Sequence, residues 1–154
     1  MQLKATVLID NIAAPPLTSE WGLAIYIEYG EHCLLLDTGG SGQFADNALM
    51  LGIPLDRVEA GVLSHAHYDH ADGIPRFFAE NSAAPFWLQQ GTEENCYSGD
   101  GEERHYIGVR RGLLTEYRDR IAYAAGKQQL FEGVWLLSHT AAMTEAGSRA
   151  KMYL

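Results

Sequence analysis

Ser64-His65-Ala66-His67-Tyr68-Asp69-His70 places three imidazoles and a carboxylate within six consecutive positions, His65 to His70. At this chain's own histidine and aspartate content, the pattern HxHxDH arises by chance in roughly one sequence in two thousand of this length. The stretch follows a short apolar run, Gly61 to Ser64, that reads as a strand. It precedes a helix expected over Ile74 to Glu80, with Pro75 in its first turn. In an extended or turning backbone His65 and His67 project to one side, because side chains two apart share a face. They then offer two nitrogens to one metal ion, while Asp69 and His70, on the following turn, face a second ion beside it. Imidazole with carboxylate suits Zn²⁺, and Fe or Mn where more oxygen ligands are present. Two ions about 3.5–4 Å apart polarise a carbonyl or phosphoryl oxygen. The alternative, histidines that cap a helix or line a loop, suits a single such residue better than a set this dense.

Upstream, the punctuation is that of a strand-rich α/β unit. Residues 2–9 alternate loosely and predict a strand ending at Asp10-Asn11. Ala13-Ala14-Pro15-Pro16 cannot continue a sheet, because proline lacks the donor N–H. Trp21 to Tyr29 reads as a second strand, Gly30-Glu31 as a turn, and the apolar run His32 to Asp37 as a strand buried on both faces. These three strands are expected to form one meander. Asp37-Thr38-Gly39-Gly40-Ser41-Gly42 is a loop whose glycines permit tight backbone geometry. A helix follows from Phe44 to Leu51 and stops at Gly52, and Asp56 is placed to cap another turn.

Downstream, Pro85 to Leu88 reads as another buried strand. From Gln89 to Arg104 the pattern lapses into an acidic stretch containing Glu93, Glu94, Asp100, Glu102 and Glu103. It is read as a surface loop, with a role towards a metal or a basic partner as the alternative. Helical spacing returns at Leu113 to Tyr117, and strands are expected at Ile121 to Ala125, Gln128 to Phe131 and Val134 to Ser138.

The 154 residues suit one domain. Twenty Asp+Glu against 11 Lys+Arg leave a net charge of −9, which argues against a nucleic-acid partner. No apolar run approaches the roughly 18–20 residues that span a bilayer, and MQLKATVLIDN does not read as a signal peptide. Cys33 and Cys96 are too few and too unlike to imply a disulfide framework. A soluble, cytoplasmic, acidic domain is expected. The tail Gly147 to Leu154 (GSRAKMYL) reads as a chain cut short.

His65-Ala66-His67-Tyr68-Asp69-His70, followed by Ala71-Asp72-Gly73, resembles the signature of the metallo-β-lactamase-fold hydrolases. Leu36-Asp37-Thr38-Gly39 resembles the D-T-G loop that those proteins place under the metal site. Leu8-Ile9-Asp10-Asn11, Trp21-Gly22-Leu23, Asn47-Ala48 and Leu51-Gly52-Ile53 are similar to the subgroup related to dihydropterin ribofuranosylaminobenzene-phosphate synthase. The resemblance implies an α/β fold, the N-terminal part of an αββα sandwich, with an incomplete domain over residues 1–154. It implies a binuclear zinc hydrolase acting on a small-molecule substrate through a bridging hydroxide. By position, His65 and His67 would be first-site ligands and Asp69 and His70 second-site ligands, with Asp69 also orienting the hydroxide. Asp37 would orient a ligand histidine and fix its tautomer, a turn-forming Asp being the alternative.

In that family a third histidine, in a strand-end Ser-His context, completes the first site, and a bridging Asp and a distal His complete the second. Leu136-Leu137-Ser138-His139-Thr140 offers His139 as a candidate ligand, although this stretch aligns better with a strand preceding an insertion. Asp119 is the last Asp and His139 the last His. His32 and His105 read as structural or surface residues. Two functions remain: a metal-dependent hydrolase, or a truncated, non-catalytic fragment that binds at most one metal weakly. Half a sandwich would also expose an apolar sheet face, to be covered by a second copy of the chain or by the segment after Arg104.

Overall fold

The computed structural model describes residues 2–99 and 103–137. Its main sheet has six strands: β1 (Leu3–Ile9), β2 (Ala24–Tyr29), β3 (His32–Leu36), β4 (Ala60–Val62), β5 (Phe86–Gln89) and β8 (Ile121–Ala124), in the order β1-β2-β3-β4-β5-β8. The expected meander is present: β1, β2 and β3 pair antiparallel, with Ile27 opposite both Ala5 and Leu34. From β3 onward the pairs are parallel, which requires crossovers, and the chain supplies helices for them. The helix α1 (Gln43–Met50) joins β3 to β4. The turn α2 (Tyr68–Ala71) and the helix α3 (Ile74–Glu80) join β4 to β5, and the turn α4 (Leu113–Glu116) precedes β8.

The helices cover one face of the sheet. Phe44, Ala48, Ile74 and Phe77 from α1 and α3 bury themselves against Tyr26, Leu35, Phe86 and Leu88. Gly61 on β4 is required by this packing, since a Cβ there would lie 2.2 Å from the Phe86 ring. Asn47, 1% exposed, is the polar residue inside α1. Its Nδ2 donates to the Leu8 and Thr18 carbonyls at 2.7 and 2.8 Å, while Oδ1 accepts the Thr18 N–H at 3.0 Å. This fixes the loop between β1 and β2 against the helix, with no buried polar atom of Asn47 left unpaired.

One expectation is corrected. The acidic stretch after Gln89 is not plain loop: β6 (Tyr97–Ser98) pairs antiparallel with β7 (His105–Tyr106), and Tyr97, Arg104, Tyr106 and Arg111 stack together across that ribbon. Periodicity could not show a two-residue strand. The last two strands lie outside the main sheet. Beyond the turn at Gly126, β9 (Gln128–Phe131) and β10 (Val134–Leu136) form a separate hairpin around Gly133, whose φ of +82° suits glycine. The hairpin lies over the sheet face without helices, with Phe131 stacked on His32 at 4.5 Å between ring centres. Between hairpin and sheet is a cleft of about 370 Å³ lined by Ile27, Leu34, Leu36, Leu130, Val134 and Leu136, among others. The segment after Arg104 thus covers part of the apolar face, as one of the two expected routes proposed. Ser138 and His139 lie outside the described residues.

Candidate functional site

Parallel pairing builds the site. Leu36 on β3 is the register partner of Val62 on β4, so the residues that follow each strand emerge side by side at the same sheet edge. In parallel sheets the carboxyl ends of strands are where ligands bind. Asp37 follows β3 with φ of +58°, the one described non-glycine residue in the left-handed region, which Asp tolerates better than most residues. The turn brings its carboxylate, 1% exposed, beneath the Ser64–His70 stretch.

A buried carboxylate must be saturated with donors, and this one is. Oδ1 accepts the Ser64 N–H at 2.7 Å. Oδ2 accepts the Ser64 hydroxyl at 2.6 Å and the His70 Nδ1–H at 2.8 Å. Because the carboxylate only accepts, the Ser64 hydroxyl spends its one proton on Asp37 and accepts from His65 Nδ1 at 3.0 Å. Asp37 therefore sets His70 directly and His65 through Ser64, leaving Nε2 of each ring on the open side. The role of Ser64 was not legible beforehand; its one signal is a hydroxyl at the end of an apolar strand, next to the first histidine.

His65 Nε2 and His67 Nδ1 face each other at 3.1 Å. Two nitrogens bound to one Zn²⁺ at about 2.0–2.1 Å across a tetrahedral angle stand roughly 3.3 Å apart, so the pair fits one ion. Asp69 Oδ2 and His70 Nε2 lie 3.8 Å apart, a looser pair on the next turn. The rings of His65 and His70 are 4.1 Å apart between centres, so the two pairs adjoin. Among the described residues, no group of three or more His, Cys, Asp or Glu side chains converges as a metal cage. His105 is exposed on β7, and His32 hydrogen-bonds Glu59 at 3.0 Å; neither is grouped with the motif.

Electrostatics separate the three imidazoles. Desolvation, with the neighbouring imidazoles, lowers the pKa of His65, and desolvation lowers that of His67. The hydrogen bond to Asp37 raises that of His70. Burial raises Asp72, whose Oδ1 accepts the Arg110 backbone N–H at 2.6 Å. That contact belongs to a seam in which residues 107–110 run beside the motif. Tyr68 N–H donates to the Ile107 carbonyl at 3.0 Å and Val109 N–H to the Ala66 carbonyl at 2.9 Å. A cleft of about 200 Å³ opens next to Ser64, bounded by Trp87, Gln89, Ala124 and Leu137.

Residues 22–143 match the profile of the Metallo-beta-lactamase superfamily, and the chain belongs to that family. It is 24% identical over 127 residues to a hydroxyacylglutathione hydrolase of Aeromonas hydrophila, an alignment covering 70% of this chain and 49% of that one. It is 32% identical over 75 residues to an uncharacterized protein of Methanocaldococcus jannaschii, covering 49% of this chain and 29% of the relative. It is also similar to a crystal structure described as a metal-dependent hydrolase of the beta-lactamase superfamily. There the TM-score is 0.68 and the identity 27%, over 88% of this chain and 48% of the other. The chain spans about half the length of the Aeromonas protein and of that structure. No helix among the described residues is long and apolar enough to cross a membrane.

Proposed function

We propose that this chain carries the metal-binding loop of a binuclear, zinc-dependent hydrolase. The observation that carries the reading is the 3.1 Å approach of His65 Nε2 to His67 Nδ1, both on rings of lowered pKa. Neutral imidazoles are what a metal needs, and these two share one focus. His65 and His67 would hold one ion, Asp69 and His70 a second, with Fe or Mn as alternatives to zinc. A bound ion pair supplies Lewis acidity towards a carbonyl or phosphoryl oxygen and lowers the pKa of water. Asp69 would also orient the attacking water. Asp37 and Ser64 hold the tautomers that keep Nε2 of His65 and His70 available.

The substrate would be a small molecule among carbonyl compounds, phosphoesters and pterin-like compounds. Metal analysis tests the reading. After reconstitution the purified chain should retain zinc, His67→Ala should weaken its affinity by more than about tenfold, and His105→Ala should leave it unchanged. Retention below about 0.2 equivalent of any transition metal would instead support a non-catalytic chain that binds one ion weakly at most.

A further inference from the structure

Glu20, in the loop between β1 and β2, sends a half-buried carboxylate into the glycine loop that follows Asp37. Its Oε1 accepts the backbone N–H groups of Gly40 and Ser41 at 3.1 and 3.2 Å. Its Oε2 accepts the Ser41 hydroxyl at 2.6 Å and the Gln43 side-chain amide at 3.1 Å. Four donors from three residues on one carboxylate is more than a surface glutamate collects by accident of position. The fit is close, since a Cβ on Gly39, at φ +71°, would lie 2.4 Å from Oε1.

The loop held in this way grips one half of the histidine motif. The His70 carbonyl accepts the Thr38 N–H at 2.8 Å and the Thr38 hydroxyl at 3.0 Å. The Asp69 carbonyl accepts the Leu23 N–H at 3.3 Å, and the Leu23 carbonyl accepts the Gly39 N–H at 2.9 Å. Gly22 and Gly73 let the backbones close: added Cβ atoms would lie 2.3 Å from the Asp69 carbonyl oxygen and 2.2 Å from that of Thr38. Residues 20–23 and 38–41 thus form a collar around the backbone of Asp69 and His70, and Glu20 ties its two strands of chain together. No bond of this collar reaches His65 or His67.

We propose that Glu20 is a positioning residue for the Asp69–His70 pair, holding the collar so that His70 Nδ1 stays on Asp37 and Nε2 faces Asp69. Its consequence for metal binding rests on the hydrolase reading above; the positioning itself does not. In the metal-free protein, Glu20→Ala should speed exchange of the His70 Nδ1 proton with solvent by at least about tenfold, read from imidazole ¹H–¹⁵N spectra. The His65 Nδ1 proton, held through Ser64, should keep the parent rate. Glu20→Gln retains one acceptor oxygen and should show a smaller change in the same direction, and it substitutes for the alanine variant if that does not fold. With Co²⁺ as probe, the variants should lose about tenfold in affinity for the ion that Asp69 contacts, with the His65–His67 ion unchanged. A folded variant with parent-like His70 exchange overturns the proposal, and so does equal acceleration at His65 and His70, which would mean general loosening. If the parent binds no Co²⁺ while the His70 effect is present, the metal reading fails and the positioning role stands.

Discussion

On the side of the main sheet that meets α1 and α3, Tyr26, Leu35, Phe86 and Leu88 are at most 2% exposed. On the other side Leu3 and Val7 keep 65% and 48% of their surface, and Ile25, Ile27, Leu36 and Val62 are half-buried. The same strands supply both sets, and both are rich in aliphatic side chains. Alternation along a strand assigns residues to faces but does not say which face will be covered. The parallel crossovers decide that. Both helices fall on one side, where they bury the first set, while among the described residues the second faces the β9–β10 hairpin and its cleft. A sheet this apolar on both faces is built to be a middle layer.

The largest expected effect is on the packed face. Phe86→Ala removes a ring with no exposed surface, in edge contact with Phe77 at 5.6 Å, and should cost about 3–5 kcal/mol in chemical denaturation. A loss under about 1 kcal/mol would dissolve the contrast between the faces. Gly61→Ala, which forces a methyl onto that ring, should cost about 1–3 kcal/mol by the same measurement.

On the open face, Ile27→Ala should cost only about 1 kcal/mol, because the side chain is half-buried to begin with. A cost like that of Phe86 would show that something covers this face in solution. The part of this face left open among the described residues should also drive association. Sedimentation of the chain is expected to show a dimer or larger species, or hydrophobic-dye binding. Val7→Lys with Leu3→Lys should reduce both while leaving unfolding free energy within about 0.5 kcal/mol.

The smallest effect appears at high pH. The Tyr26 hydroxyl is buried without a hydrogen bond of ordinary geometry among the described residues. Burial, with the Cys33 thiol beside it, raises its pKa well above the usual tyrosine value. The folded state then keeps a proton that the unfolded chain gives up above pH about 10, so stability falls as pH rises beyond that point. Tyr26→Phe should be nearly neutral at pH 7 and should flatten the alkaline limb of a stability-against-pH curve. An unchanged alkaline limb would place that loss elsewhere.

Much of the fold was legible because its elements are long enough to carry a period or end on recognisable residues. Ile74–Glu80 starts beside Gly73 with Pro75 in its first turn, and α1 stops beside Gly52. The β1-β2-β3 meander followed from apolar runs separated by Pro15-Pro16 and Gly30-Glu31. The β6–β7 ribbon was not legible, since two-residue strands have no period. Nor was the pairing of β10 with β9 apart from the main sheet, since an apolar triplet pairs as readily with a hairpin partner as with a sheet edge.

The sequence by itself determined the residue types of the site and their local spacing. His65, His67, Asp69 and His70 are close in sequence, so one strand end and one turn suffice to gather them. Family membership is legible from the same motif. Only the tertiary structure decided what stands behind them. Asp37 lies 33 residues from His70 and meets it because parallel β3 and β4 bring the loops after them to one edge. Glu20 lies 20 residues from Gly40 and meets it because antiparallel β2 and β3 set the start of one strand beside the end of the other. Hydrogen bonds across such separations leave no periodic trace in the chain, because the backbone path and not the local sequence sets which donors a carboxylate finds.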